Sequence, residues 1–218
     1  MPVRNRVVIG IAVALLLVTG LAACTSHVLK GPQTSEEKAF LASIRGEIVY
    51  AHADGRYYSI YQINANGTNN KLLYRNDRSE YNLSCFNPLW SEDGTKIYFT
   101  AMKDDKWRKF VMDADGGNVE LVENEKPYLV TESSREPDIT VEKGSIFWQD
   151  AEGQRHEAYH FPFYVADFRN GAYLASWSPD KKFIIFVLWE GENNIMVANR
   201  EGTMVVKITD GVDPDWKY

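Results

Sequence analysis

Apolar residues along this chain fall in short runs divided by acidic, Asn- and Gly-rich punctuation, and the runs recur in a fixed frame. Pro88-Leu89-Trp90-Ser91-Glu92-Asp93-Gly94-Thr95-Lys96-Ile97-Tyr98-Phe99 and Ala175-Ser176-Trp177-Ser178-Pro179-Asp180-Lys181-Lys182-Phe183-Ile184-Ile185-Phe186 share one design: a Trp-Ser pair, an acidic turn, basic residues, then an apolar strand. In both, Ile stands seven residues after Trp. The same frame is read at Pro137-Asp138-Ile139-Thr140, with Ile146 seven residues on, and a half-copy recurs at Pro214-Asp215-Trp216-Lys217. Counting back from Ile48 puts the first anchor at Leu41, so Leu41, Trp90, Ile139, Trp177 and Trp216 are spaced by 49, 49, 38 and 39 residues.

A second marker keeps register with the first. Gly67, Gly116 and Gly202 lie 26, 26 and 25 residues after their anchors, each between two short apolar runs. Glycine takes positive φ without steric cost, as a hairpin turn often requires. Each unit therefore reads strand, acidic turn, strand, loop, strand, glycine turn, strand, and a four-stranded repeat of roughly 40–45 residues is a propeller blade. The third unit is degenerate, and its glycine turn is either Asp150-Ala151-Glu152-Gly153 or lies between Tyr164 and Gly171. The first unit lacks an innermost strand, and Pro214 to Tyr218 is an orphan copy of one. The sequence thus predicts an all-β fold: a small β-propeller of about four four-stranded blades, with the C-terminal strand closing the first blade and removing open sheet edges.

These repeats resemble the TolB-like propeller family (WD40-like, PD40), whose units run Pro-x-Trp-Ser-Pro-Asp-Gly-x-x-Ile-x-Phe and then a Met-Asp-Ala-Asp-Gly-Gly turn. Met112-Asp113-Ala114-Asp115-Gly116-Gly117 matches that turn position by position. The resemblance extends over residues 41–218, and the anchors Trp90, Ile139, Trp177 and Trp216 are its structural residues. It implies a fold; propellers host enzymes and binders alike.

The N-terminus has a different pattern. Arg4 and Arg6 precede an uncharged run from Val7 to Leu21, followed by Leu21-Ala22-Ala23-Cys24, the layout of a secretory signal. As a helix that run spans only ~22 Å at ~1.5 Å per residue, short for a ~30 Å bilayer core. Leu-Ala-Ala-Cys resembles the lipobox of bacterial lipoproteins, which implies cleavage before Cys24 and lipid attachment on it, with more than one acyl chain for firm anchorage. Thr25, rather than Asp, follows the cysteine, which implies the periplasmic face of the outer membrane in a Gram-negative cell. The organisation expected is residues 1–23 as signal peptide, 24–40 as lipidated cysteine and flexible tether, and 41–218 as propeller. Ser35 to Ile44 reads as one short helix capped by Ser35.

Cleavage changes the charge. Loss of Arg4 and Arg6 takes Lys+Arg from 24 to 22 against 30 acidic residues, a net charge of about −8. That balance excludes nucleic acid as a natural partner. Cys85 becomes the only free thiol, so no disulfide framework supports the fold.

Candidate chemistry is sparse. His156-Glu157-Ala158-Tyr159-His160 fits the H-E-x-x-H zinc pattern, which requires a helix to set both His on one face. Gly153 and Pro162 bracket it too closely for a stable buried helix, so a polar strand or loop is expected, with no metal. Asp113-Ala114-Asp115-Gly116 opens like a calcium loop but lacks its later ligands, and turn chemistry accounts for it. No phosphate loop, serine elbow or cofactor motif is present. Trp107, Trp148 and Trp189, outside the anchor positions, are the tryptophans expected to be freer for ligand contact. Asp138 and Asp215, each one residue before an anchor, are candidate ligands of a cation or polar molecule in the central channel. The expectation is a membrane-tethered binding or scaffolding propeller with an envelope protein or peptide partner, no catalytic residues and no cofactor. The rivals are a hydrolase, either metal-dependent through His156, Glu157 and His160 or glycan-acting, and an incomplete ring forming part of a larger assembly.

Overall fold

A computed structural model describes residues 32, 34–77, 83–127, 136–162 and 171–217. Cys24, the signal segment and most of the tether lie outside these residues. Helix α1 (Ser35–Ser43) comes first. Its cap is Thr34 rather than Ser35: the Thr34 hydroxyl accepts from the Glu37 amide at 3.0 Å, and the Glu37 carboxylate accepts from the Thr34 amide at 2.9 Å. This reciprocal capping box outcompetes a serine one residue later because it satisfies two orphan amides at once.

Fifteen strands follow among the described residues: β1 (Glu47–Asp54), β2 (Tyr57–Asn64), β3 (Lys71–Tyr74), β4 (Cys85–Trp90), β5 (Lys96–Lys103), β6 (Lys106–Asp113), β7 (Glu120–Leu121), β8 (Ile139–Glu142), β9 (Ser145–Gln149), β10 (Arg155–Tyr159), β11 (Gly171–Trp177), β12 (Phe183–Trp189), β13 (Asn193–Asn199), β14 (Val205–Asp210) and β15 (Val212–Trp216). They form four antiparallel sheets with strand orders β15-β1-β2-β3, β4-β5-β6-β7, β10-β9-β8 and β11-β12-β13-β14. The last strand therefore completes the first sheet, as its sequence predicts. Trp216 pairs with Ile48 as Trp90 pairs with Ile97 and Trp177 with Ile184.

The Trp-Ser-x-Asp signature is a turn device. The Ser91 hydroxyl donates to Asp93 at 2.7 Å and accepts the Lys96 amide at 2.9 Å; Ser178 repeats both bonds with Asp180 at 2.7 Å and Phe183 at 3.0 Å. Each pair fixes the register of the strand that follows. The Thr95 amide, then the Ser91 and Thr95 hydroxyls, hold the Asp93 carboxyl down to about 2. A carboxylate depressed in the folded state stabilises it above the unfolded value near 4 and loses that contribution as pH falls through the folded value. Carboxyl titration followed by NMR is thus expected to give Asp93 a midpoint near 2 in the native protein, against about 4 for an exposed Asp.

In the third sheet the sequence frame slips by one strand. In the other sheets the residue after the third strand bonds back to the residue before the second: Ala65 N to Gly46 O, Ala114 N to Thr95 O and Arg200 N to Lys182 O, at 2.9–3.0 Å. In the third, Gln149, the last residue of β9, donates its amide to Asp138 O at 2.9 Å, and Ile139 pairs across the hairpin with Trp148. Ile139 therefore lies on the second strand of its unit, the strand that carries Ile48, Ile97 and Ile184 in the others, and not on an innermost strand with the Trp anchors. The seven-residue spacing to Ile146 that suggested an anchor arises from a two-residue hairpin, Lys143-Gly144, with φ of 50° and 74°. The third glycine turn is Asp150–Gly153: Gly153 N donates to Asp150 O as Gly116 N does to Asp113 O. The third sheet has three strands among the described residues and no innermost one.

Hydrophobic clusters join the first sheet to the second, the third to the fourth, and the fourth to the first. The fourth sheet sits between two others, so Ile184–Leu188 of β12 and Asn194–Ala198 of β13 are buried without a break. By contrast β6 alternates, with Phe110 and Met112 buried and Val111 half-buried. Continuous apolar runs belong to strands covered on both faces and alternation to strands covered on one.

The glycine turns are the points of contact between sheets. A Cβ on Gly116 would stand 2.6 Å from the Leu73 carbonyl oxygen of β3, and one on Gly202 would stand 2.8 Å from the Glu157 carbonyl oxygen of β10. Gly67 faces Ile208 O of β14 at 3.9 Å. Each turn thus docks on the outermost strand of the preceding sheet. Gly153 meets nothing within 4 Å.

Candidate functional site

Asp215 is on the innermost strand β15 and is 8% exposed. Its Oδ2 accepts the Trp90 amide at 2.7 Å, while Asp213 two residues earlier accepts the Asn87 amide at 3.1 Å. The Pro88 region breaks the β4–β5 ladder, since the register shifts between Phe86 and Leu89, and these two carboxylates take up amides near that break. A charge-assisted bond of this kind is about twice as strong as a neutral one. Asp215 therefore ties the closing strand to the second sheet.

Asp138 stands in a different place. It precedes the second strand of its sheet, and its Oδ2 accepts Trp177 Nε1 at 3.1 Å and Lys181 Nζ at 3.2 Å. The expected pair of equivalent carboxylates across a channel is corrected accordingly: the one-strand slip puts Asp138 at the rim of the third sheet and Asp215 on an inner strand. Both link neighbouring sheets.

The H-E-x-x-H segment is extended. Arg155–Tyr159 is strand β10, and His160 follows it. His156 stacks on Trp148 with ring centroids 4.2 Å apart and an interplanar angle of 17°, and its Nε2 lies 2.8 Å from Asp150 Oδ2. His160 pairs instead with Glu157, Nδ1 to Oε1 at 2.9 Å. Four residues of strand span roughly 13 Å at ~3.3 Å each, beyond the reach of one ion with ~2 Å bonds. Nearby His156 holds the Asp150 carboxyl below its usual range. Among the described residues no three His, Cys, Asp or Glu side chains converge as metal ligands.

Trp148 is only 7% exposed, so it is not the freer tryptophan expected. Its Nε1 donates to Arg200 O at 3.0 Å, and the Arg200 guanidinium lies 3.9 Å from its ring centroid. It bridges the third and fourth sheets. Trp107 packs on Phe86 at 5.8 Å. Asp113 is engaged by Lys96 and Asn118, and Asp115 accepts the Gly117 amide at 2.9 Å, so this loop's carboxylates serve the turn.

Cys85 is fully buried, and burial pushes its thiol up to about 12. The thiolate is the reactive form. A thiol reagent is expected to leave Cys85 unmodified in native protein at pH 8 and to label it fully in denaturant; labelling at similar rates in both states would contradict the packing described here.

At the glycine-turn end of the first sheet lies a polar groove of about 420 Å³, lined by Glu47, Gln62, Asn64, Asn69, Asn70 and Lys71. A second pocket of about 270 Å³ shares Glu47 and Asn64 with it and is lined also by Ile44, Arg45, Gly46 and Asn66. The fold places these residues together through ladder pairing: Glu47 opposes Asn64, and Gln62 opposes Lys71. Lys217 Nζ reaches Glu47 Oε2 at 2.9 Å. The Asn70 side-chain oxygen accepts the Tyr50 hydroxyl at 2.8 Å. Gln62 is 4% exposed, and its Oε1 has no hydrogen-bond partner. Sequence reading passed over this site because it took Asn64 to Gly67 as a turn. The available signal was the density of carboxamides from Gln62 to Asn70, greater than a turn needs.

No protein-family model and no curated protein sequence matches the chain. Among solved structures, TolB from Acinetobacter baumannii is 18% identical over 74% of this chain and 41% of its own, with a TM-score of 0.30. A putative TolB from Agrobacterium tumefaciens is 16% identical over 76% of this chain and 61% of its own, with a TM-score of 0.30. The tricorn protease is 9% identical over 78% and 23%, with a TM-score of 0.36. The chain spans less than two thirds of each of these proteins. By its own strand order and the pairing of β15 with β1, this chain is an all-β, four-sheet β-propeller.

Proposed function

We propose that this chain is a lipid-anchored protein of the bacterial cell envelope whose propeller binds an envelope protein or peptide without catalysing a reaction. The observation that carries the reading is the commitment of its reactive side chains to packing. His156 stacks on Trp148 beside Asp150, Cys85 is buried, and Asp138 and Asp215 bond to neighbouring sheets. The tips left exposed at the rim opposite the glycine turns, Gly55-Arg56, Asp104-Asp105 and Gly191-Glu192, supply the partner surface. Lipid on Cys24 supplies the membrane, and Thr25 directs the protein to the periplasmic face of the outer membrane.

Two measurements test this. Radiolabelled fatty acid should enter the wild-type protein and not Cys24→Ala, which should leave the membrane fraction; equal labelling would refute the anchor. A photo-crosslinking residue at position 104 or 191 should capture a discrete envelope protein, while one placed at the buried position 196 should not. Equal capture from both positions would count against a specific partner surface.

A structural-subunit reading has its own support in the third sheet, whose glycine turn at Gly153 touches no neighbour and which shares no hydrophobic cluster with the second among the described residues. Mass in solution decides: a monomer favours the closed ring, and a defined oligomer favours a ring completed between copies.

A further inference from the structure

The groove on the first sheet holds a buried polar group that the packing leaves unused. All six residues that line its main chamber carry a carboxamide, carboxylate or ammonium group. Its charged groups are Glu47, which is paired with Lys217, and Lys71, the lining's one ammonium. Gln62 sits in the lining nine-tenths buried with an unpaired acceptor. Buried polar atoms are almost always paired, because leaving one unpaired has a full desolvation cost. Neither the inter-sheet contacts nor the turn chemistry uses this oxygen. Its terminal torsion is a broad one, so the orientation of this acceptor can respond to a ligand. Asn70, whose oxygen is occupied by Tyr50, has its NH₂ left to donate.

We propose that this groove binds a neutral saccharide unit, with Gln62 Oε1 accepting from a ring hydroxyl and the Asn70 amide donating to another. A hydroxyl both donates and accepts, so a sugar can satisfy mixed donors and acceptors on every wall. A peptide would need an apolar pocket for its side chains or a free strand edge for its backbone, and no residue lining the chamber is of an apolar type. A polyanion would find only the single ammonium of Lys71, and a cation only a carboxylate already paired with Lys217. The chamber's volume falls within the range of small-molecule sites. The second pocket, which shares Glu47 and Asn64, offers room for a second sugar beside the first. With no aromatic face to stack on, binding is weak and selective for hydroxyl geometry.

The test uses the full chain purified from its host membrane in a detergent without a sugar headgroup. The side-chain amide signals of Gln62, Asn64, Asn69 and Asn70 are followed by ¹⁵N NMR as maltotetraose, chitotetraose or tetra-alanine is added, to about 20 mM, which covers millimolar affinity. The expected result is a saturable shift of the Gln62 and Asn70 signals with at least one saccharide and none with the peptide. Gln62→Met removes the unpaired acceptor at nearly constant shape. It should weaken binding about tenfold while leaving the melting temperature equal or higher, since an unsatisfied buried group has gone. Asn70→Ala should also weaken binding, with wild-type sheet signals confirming the fold. Three results overturn the proposal: no shift with either saccharide, a shift with tetra-alanine alone, or saccharide binding unchanged in Gln62→Met. Failure here leaves the partner surface on the opposite rim intact, because position 104 or 191 crosslinks are read independently.

Discussion

A chain ending at Gly211 is expected to lose its cooperative unfolding transition. The seven residues removed include β15, which supplies the inner strand of the first sheet. They also include Trp216, 1% exposed, and the two carboxylates that hold Asn87 and Trp90. Truncating one buried Trp to Ala costs about 3–5 kcal/mol, and a domain's whole stability is about 5–15 kcal/mol. Losing the strand removes in addition a β-ladder and two charge-assisted bonds, and it exposes β1 as an unpaired edge. Trp216→Ala alone should retain a cooperative melt, shifted down by the amount given for one tryptophan. Calorimetry or circular dichroism separates the two. A truncated chain that melts like the full-length protein would mean that the termini do not hold the ring together.

The second large effect concerns the glycine turns. Gly116→Ala should destabilise the protein far more than Gly153→Ala, although both positions have positive φ, 94° and 80°. The positive-φ penalty of about 1–2 kcal/mol is common to both. Only at Gly116 does the new methyl meet backbone, the Leu73 carbonyl at 2.6 Å, and a carbonyl in a sheet cannot swing aside. Overpacking of this kind adds about 1–3 kcal/mol. Denaturant midpoints at constant slope would measure the difference; equal losses would mean that the turn does not dock on the preceding sheet.

That contrast also shows what was legible in the sequence. The repeated Trp-Ser-x-Asp motif and the glycine turns were visible because their chemistry is local: Ser91 and Asp93 act within six residues, as do Asp113 and Gly117. From their order alone the four units, and the swap of the last strand into the first sheet, could be inferred. The third unit misled because spacing is a weak proxy for pairing. Ile139 and Ile146 matched the seven-residue interval, yet a two-residue hairpin at Lys143-Gly144 made the interval without the equivalence, and the candidate ligand Asp138 was displaced with it.

The site was less legible still, since its parts are brought together by ladder register. Nothing in the sequence marks Glu47 as the neighbour of Asn64, or Gln62 as that of Lys71, until the strands are paired. The unpaired oxygen of Gln62 is a property of packing with no local signature. His156 shows the converse. Its motif was conspicuous in sequence, and the structure gives it a stacking role against Trp148.

The claim on which the account rests is that β15 is a working member of the first sheet. Native-state hydrogen exchange on the amides of Val212 to Lys217 tests it most directly, Lys217 N being bonded to Glu47 O at 2.9 Å. The bonded amides of this segment should exchange as slowly as those of β12 and β13, by global unfolding only. Exchange as fast as that of a frayed terminus would contradict it.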